Sequence, residues 1–171
     1  MKLNERFNWA VKKLALQPTD HVLEIGCGVG ILVQQMATQL KQGKITAIDR
    51  SPAMISSASK RNYAFTAVKK VEFVTGDFVT VDLKSAGFDK IVAFNVNFFW
   101  RDSETEMQKI HQCLKPAGEL FIFWQPPFNI DIKAAEPIEK NLEENYFEVV
   151  DTILKNMKPT SAICIIARVT K

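Results

Sequence analysis

Three of the seven glycines in this 171-residue chain stand within five residues, at Gly26, Gly28 and Gly30. A short apolar segment, His21-Val-Leu-Glu-Ile25, runs into them. Residues 29–41, with Ile31, Leu32, Met36 and Leu40 apolar, read as the helix that leaves them, and Gly43 breaks it. Glycine reaches positive φ at little steric cost and lets a ligand approach the backbone closely. The helix after such a turn aims its N-terminus, with its unpaired N–H groups, at whatever lies above the turn. Strand, glycine turn and helix together form the opening unit of an α/β fold.

The rest of the chain repeats that alternation. Phe7, Ala10, Val11 and Leu14 give residues 3–16 one apolar helical face, and Pro18 ends it. Residues 44–48 read as a second strand, closed by Asp49. Ser51-Pro52 supplies an N-cap and a first-turn proline for a helix expected to run to about Ala67. Strands follow at 71–75, leading into Gly76-Asp77, and at 88–94. Ser103 and Glu106 have the spacing of a capping box for a helix to Leu114. Lys115-Pro-Ala-Gly118 is expected to turn the chain into a fifth strand, 119–124. Regular alternation predicts βαβ units, a parallel sheet and right-handed crossovers. After residue 124 a helix over about 132–144 precedes two strands, 146–154 and 162–169. The short link 156–161 between them predicts an antiparallel pair. The expected fold is therefore α/β: a Rossmann-like, doubly wound seven-stranded sheet, mostly parallel, with an antiparallel C-terminal strand pair.

Composition excludes several classes. Hydrophobic residues at 47% and charged residues at 24% are ordinary for a globular chain and argue against disorder. The length suits one domain over 1–171. No apolar run approaches the ~18 residues of a membrane span, and charges interrupt the N-terminal apolar residues, unlike a secretory signal. The net charge is +3, and the basic pairs Lys12-Lys13, Lys60-Arg61 and Lys69-Lys70 are scattered, so a nucleic-acid partner is not expected. Cys27, Cys113 and Cys164 are widely spaced without a CxxC, which fits reduced thiols in a cytoplasmic protein. With only His21 and His111 besides, no recognised metal spacing and no Ser-His-Asp grouping is present.

In an open α/β sheet, ligands bind beyond the carboxyl ends of the strands. Those ends carry Glu24 and Gly26–Gly30, then Asp49, Asp77, Asn95–Trp100 and Gln125–Phe128. A carboxylate at the tip of the second strand accepts from both hydroxyls of a ribose, so Asp49 with the glycines implies a nucleoside ligand. The dinucleotide fingerprint G-x-G-x-x-G/A needs a small residue where Ile31 stands; here the spacing is G-x-G-x-G, which weakens a nicotinamide reading.

Val22-Leu-Glu-Ile-Gly-Cys-Gly-Val-Gly30 resembles the first motif of class I S-adenosylmethionine-dependent methyltransferases. The resemblance continues through Ile48–Met54, Gly76-Asp77-Phe78, Phe88–Phe94 and Leu114–Gly118, in the family's order. It implies S-adenosylmethionine as cofactor, with S-adenosylhomocysteine as product. By the same resemblance Gly26, Gly28 and Gly30 lie along its amino-acid and ribose part, with Glu24 supporting the turn. Asp49 would bind the ribose diol, Arg50 and Met54 would flank the adenine, and Asp77 would accept from the adenine amino group beside the Phe78 backbone. The Asn95 main chain would face the methionine end.

The implied reaction is methyl transfer to a small organic acceptor. It requires alignment of acceptor and methyl more than a base, and the sequence names no base. His21 should lie at the wrong end of the sheet and His111 within a helix; Asn95 and Asn97 remain as polar contacts for an acceptor, and Asp102 reads as a helix cap. Phe98, Phe99 and Trp100 have two readings, an aromatic wall for an apolar or aromatic acceptor or core beneath the next helix, and Trp9, Trp124 and Phe128 are further wall candidates. No appended cap is visible, so the acceptor side is expected to be open or completed by a second subunit in a homodimer. The alternatives are a non-catalytic methyltransferase-like binding module and a nicotinamide-dependent oxidoreductase. A polyamine synthase of similar fold lacks support, since no acidic motif follows the fourth strand.

Overall fold

The computed structural model describes residues 5–83, 87–101 and 103–170. A seven-stranded sheet runs through them in the order β3-β2-β1-β4-β5-β7-β6. Strands β1 (His21–Ile25), β2 (Lys44–Asp49), β3 (Val71–Thr75), β4 (Phe88–Phe94) and β5 (Leu114–Trp124) are parallel, and β6 (Phe147–Lys155) and β7 (Ala162–Val169) complete the sheet antiparallel. From β1 the chain first builds outward to β3 and then returns to lay β4 on the other side. The strand ends therefore part between β1 and β4, which is where such a sheet opens a crevice.

Both faces of the sheet are covered, which is why its central strands are apolar throughout. Helices α1 (Glu5–Leu14) and α2 (Ile31–Gln39) bury Leu14 and Met36 against Val92 and Phe121 on one face. Helices α5 (Glu104–Cys113) and α6 (Glu136–Glu144) bury Met107, Ile110, Ile138 and Leu142 against Ile91 and Ile122 on the other. α1 carries the expected apolar face and adds Trp9, whose ring meets Phe123 edge-on at 5.5 Å. Trp9 is thus core, not part of an acceptor wall.

Four local expectations are corrected, the first three by long-range contacts. The helix expected to reach Ala67 stops as α3 (Pro52–Arg61) and resumes as a short α4 (Tyr63–Ala67). Asn62 between them is buried, and its amide donates to the carbonyls of Gly30 (3.0 Å) and Ala58 (2.9 Å). Ser103 does precede α5, but it makes no side-chain cap; its hydroxyl takes the Asn141 amide at 3.0 Å, while Glu106 pairs with Arg101 at 2.9 Å. The capping box is therefore absent. β5 begins at Leu114 rather than at residue 119, because Leu114 already pairs with Phe88 and the register then jumps to Lys90–Glu119. A Cβ at Gly118 would stand 2.9 Å from the Phe88 carbonyl oxygen, so glycine lets this irregularity lie flat on β4. Finally, the helix expected over 132–144 opens as a 3-10 turn, Ile132–Ala135, which Asp131 caps at the Lys133 N–H (2.9 Å), before α6. Residues 3 and 4 of the expected first helix, and the cap expected at Asp102, lie outside the described residues.

Candidate functional site

The glycine turn after β1 is built from three different requirements. Gly26 has φ 73°, and its N–H and that of Cys27 donate to the Ile48 carbonyl at 2.8 and 3.0 Å, tying the turn to β2. Gly28 has φ 52°, donates to Asp49 Oδ2 at 2.8 Å, and has nothing within 4 Å of where a Cβ would be. Gly30 has φ 72°, and a Cβ there would meet Asn62 Nδ2 at 2.7 Å and the Ala58 Cβ at 2.9 Å. The third glycine thus serves contact with α3, one residue before the dinucleotide fingerprint would place it. Gly30→Ala combines left-handed strain with overpacking and is expected to destabilise the fold by roughly 2–4 kcal/mol. Urea unfolding checks this, and a loss below ~0.5 kcal/mol would remove the packing role.

Asp49 holds the first turn of the site together. Its Oδ2 accepts from Gly28 and its Oδ1 from the Ser51 N–H at 2.9 Å. Ser51 in turn caps α3 at the Met54 N–H (3.3 Å), as its sequence position predicts. Asp77 lies two residues past the end of β3: its Oδ1 accepts from the Val79 N–H at 2.9 Å, and Oδ2 lies 3.7 Å from Arg50 Nη1. That ion pair is exposed, so it contributes little to stability.

A cavity of about 390 Å³ opens over these strand ends. Gly26, Asp49, Arg50, Asp77, Phe78 and Asn95 line it, as their sequence positions led one to expect, together with Val96, Asn97, Phe98, Arg101 and Glu106. Gly28, Gly30, Glu24 and Met54 are not in the lining. Met54 sits 40% exposed on the first turn of α3. Glu24 is buried behind the turn, and its Oε2 has no partner among the described residues. Burial, with Asp49 nearby as the lesser cause, pushes the Glu24 carboxyl up to about 8 from 4.5, against one favourable backbone hydrogen bond from Val33. Burial also raises the Cys27 thiol, which Glu24 and Asp49 reinforce.

The consecutive aromatics after β4 go to three places. A 3-10 turn, Asn97–Trp100, separates them. Phe98 lines the cavity, its ring parallel to Phe78 at 6.3 Å. Phe99 is fully buried in the core. Trp100 packs on Trp124 at 4.7 Å, and Trp124 meets the 58%-exposed Phe128 at 6.3 Å. The core reading holds for Phe99, while Phe98 lines the cavity and Trp100 joins a separate aromatic cluster with Trp124. The Asn95 side chain is not free for an acceptor: its Oδ1 accepts from the Gln125 N–H (2.8 Å) and its Nδ2 donates to the Gln125 carbonyl (3.3 Å), clamping β4 to β5. His21 opens β1 at the opposite end of the sheet and His111 lies on α5 against Phe147, both away from the cavity. Among the described residues no group of three potential ligands could hold a metal, and no helix is long and apolar enough to cross a membrane. The sequence reading missed Arg101 and Glu106; Glu106 carried a signal, but its spacing from Ser103 assigned it to a cap.

Sheet order, glycine turn and strand-end carboxylates define a Rossmann-like α/β protein with a cavity at its switch point. Residues 22–118 match the methyltransferase domain family. The chain belongs to the class I S-adenosylmethionine-dependent methyltransferases. It is 28% identical to the uncharacterized methyltransferase YdaC of Bacillus subtilis over 96% of this chain and 92% of that one. Against malonyl-[acyl-carrier protein] O-methyltransferase of Priestia megaterium the identity is 35%, but over 58% of this chain and 34% of that one. The match to carboxy-S-adenosyl-L-methionine synthase of Enterobacter likewise covers 44% of the relative's length. A SAM-dependent methyltransferase from Aquifex aeolicus shares the fold, with a TM-score of 0.78 over 96% of this chain and 89% of that one at 17% identity. The cofactor is S-adenosylmethionine and the chemistry is methyl transfer. The nicotinamide-dependent reading has no support among these relatives.

Proposed function

We propose that S-adenosylmethionine lies in the cavity over β1 to β4 and that the acceptor is a small organic molecule with an apolar or aromatic part. Gly26 and the Asn95 main chain would line the methionine end, with Gly28 and Gly30 shaping the turn. Asp49 would take the ribose diol, Arg50 and Met54 would flank the adenine, and Asp77 with the Phe78 backbone would face its amino edge. The fit is supported by three features: the open space at the Gly28 Cβ position, the positive φ of all three glycines, and the Asp49 carboxylate. Each Asp49 oxygen uses one lone pair on a backbone N–H, which leaves two acceptor sites of about four. The observation that carries the proposal is the cavity itself, which Gly26, Asp49, Asp77 and Asn95 line together.

When bound, S-adenosylmethionine supplies a methyl already activated on a sulfonium, with a neutral thioether as leaving group. The chain's task is then to hold the acceptor in line and to exclude water, which supplies ~7–11 kcal/mol where alignment is good. The Asn95–Gln125 clamp makes the floor between β4 and β5 rigid. Trp100, Trp124 and Phe128 form an aromatic cluster after β4 and at the end of β5, outside the lining of the cavity, and would supply the apolar face for the acceptor. The similarity to a malonyl-[acyl-carrier protein] O-methyltransferase supports the transferase class.

Titration calorimetry with S-adenosylmethionine, S-adenosylhomocysteine and NAD, followed by methyl-transfer assays over amines, phenols, thiols and carboxylates, tests the reading. Binding of the first two without NAD, and turnover with an aromatic acceptor, is expected. NAD binding alone would overturn it; cofactor binding with no turnover would make the chain a binding module. Trp124→Ala is expected to raise KM for an aromatic acceptor about tenfold, the loss of ~1.4 kcal/mol of ring contact, with KM for the cofactor unchanged. A second copy completing the open acceptor side is part of the same proposal. Light scattering on an active sample checks it, and a fully active monomer removes it.

A further inference from the structure

We infer that Lys109, which lies on α5 outside the cavity, is the positioning residue for the Asp77–Phe78 end of the site and so sets the selectivity for the adenine base. The inference rests on the reading of Asp77 and Phe78 as the adenine end.

The turn after β3 is short and carries its own frame. The Asp77 carbonyl accepts from the Thr80 and Val81 N–H groups at 3.2 and 3.0 Å, and the Asp77 carboxylate accepts from Val79. A Cβ at Gly76 would already stand 3.1 Å from Val81 Cγ2, so the turn closes tightly on itself. The carbonyls at its far end point to α5. There the Lys109 ammonium donates to the Val79 carbonyl at 2.8 Å and also to that of Val81. A cation at the carbonyl end of a single helical turn is the favourable sign for the peptide dipoles.

The same ammonium stands 5.4 Å from the centre of the Phe78 ring. Phe98 stacks parallel to that ring at 6.3 Å. Phe78 and Phe98 both line the cavity, and so does Glu106, three residues before Lys109 on the same helix. One face of α5 therefore reaches the cavity rim through Glu106 and the supporting turn through Lys109. Gly26 and Asn95 are held by hydrogen bonds to Ile48 of β2 and Phe123 of β5, and the Asp49 carbonyl takes the Gly76 N–H at 3.0 Å; among the hydrogen bonds of the described residues, Lys109 reaches only the Val79 and Val81 carbonyls. Losing the ammonium frees the Val79 and Val81 carbonyls and unseats Phe78, which lets Asp77 leave its place while the other end stays fixed.

The test compares two ligands that differ at one position of the base, S-adenosylhomocysteine and its 6-oxo counterpart S-inosylhomocysteine. The parent protein is expected to prefer the amino base by tenfold or more, because Asp77 accepts from the amino group and not from the oxo group. In Lys109→Met the preference is expected to fall to within threefold, with weaker S-adenosylhomocysteine binding. Lys109→Arg, which still donates to two carbonyls, is expected to keep the preference. A purely structural role would lower the melting temperature and leave the ratio of the two affinities unchanged, which overturns the inference. If Lys109→Met fails to fold, Lys109→Gln is read by the same ratio. A parent that binds both bases equally overturns the Asp77 reading and this inference with it. A discriminating parent matched by its folded variants overturns the inference alone.

Discussion

Alanine in place of Asp49 is expected to weaken S-adenosylmethionine binding by about 2–4 kcal/mol, roughly 30- to 1,000-fold. Two losses add. The first is direct: the ribose hydroxyls lose a charged acceptor inside a partly enclosed cavity, where hydrogen bonds to charge are stronger than neutral ones. The second passes through the turn. Asp49 is the acceptor for the Gly28 and Ser51 N–H groups, so the variant leaves both donors unpaired and the glycine turn less well fixed before the cofactor arrives. Asp49→Asn separates these contributions. Its carbonyl oxygen retains one of the two backbone bonds, while its NH2 faces the other donor, so the loss should remain large. Calorimetry on variants with the parent's circular dichroism reads the effect. Parent-like affinity in folded Asp49→Ala would remove the ribose assignment.

The strand ends were legible because parallel topology sends every carboxyl end to one edge of the sheet. Naming β1 to β4 therefore placed Gly26, Asp49, Asp77 and Asn95 together before any contact was known. Local rules failed where a side chain found a better partner far away. Asn62 interrupts a good helical run because its amide satisfies Gly30 across 32 positions of sequence. Ser103 gives its hydroxyl to Asn141 rather than to its own helix, and that frees Glu106 for Arg101 and the cavity. Phe98, Phe99 and Trp100 read alike as aromatics, and the tight 3-10 turn alone sends one to the cavity, one to the core and one to the Trp124 cluster. Glu106 and Lys109 depend on the rotation of α5 against the turn after β3, and Arg101, just after the 3-10 turn, follows Glu106 through their ion pair; no sequence period encodes a rotation.

Glu24→Gln is expected to raise stability at alkaline pH and to flatten its pH dependence. The parent carboxyl is buried, has one oxygen without a partner among the described residues, and has Asp49 close by. Ionising it in the fold is therefore costly, and its titration moves to about 8, from 4.5 in the open chain. Below 4.5 both states hold the proton and the contribution of this group to stability is complete. Between 4.5 and about 8 the unfolded chain has released the proton while the folded chain keeps it, so stability falls as pH rises. Above that range both states are ionised and the loss is full. At about 1.4 kcal/mol per pH unit, the ceiling of this loss is roughly 5 kcal/mol. The Cys27 thiol is raised from an ordinary value that already lies above this window, so it adds no slope of its own here. Glutamine keeps the shape and the neutral state at every pH. The gap in urea midpoint between variant and parent should therefore be small at pH 4.5 and widen steadily towards pH 8. A gap that stays constant across that interval would mean that Glu24 does not carry the proton in the folded protein. The turn would then rest on an ionised carboxylate that has found a partner of its own.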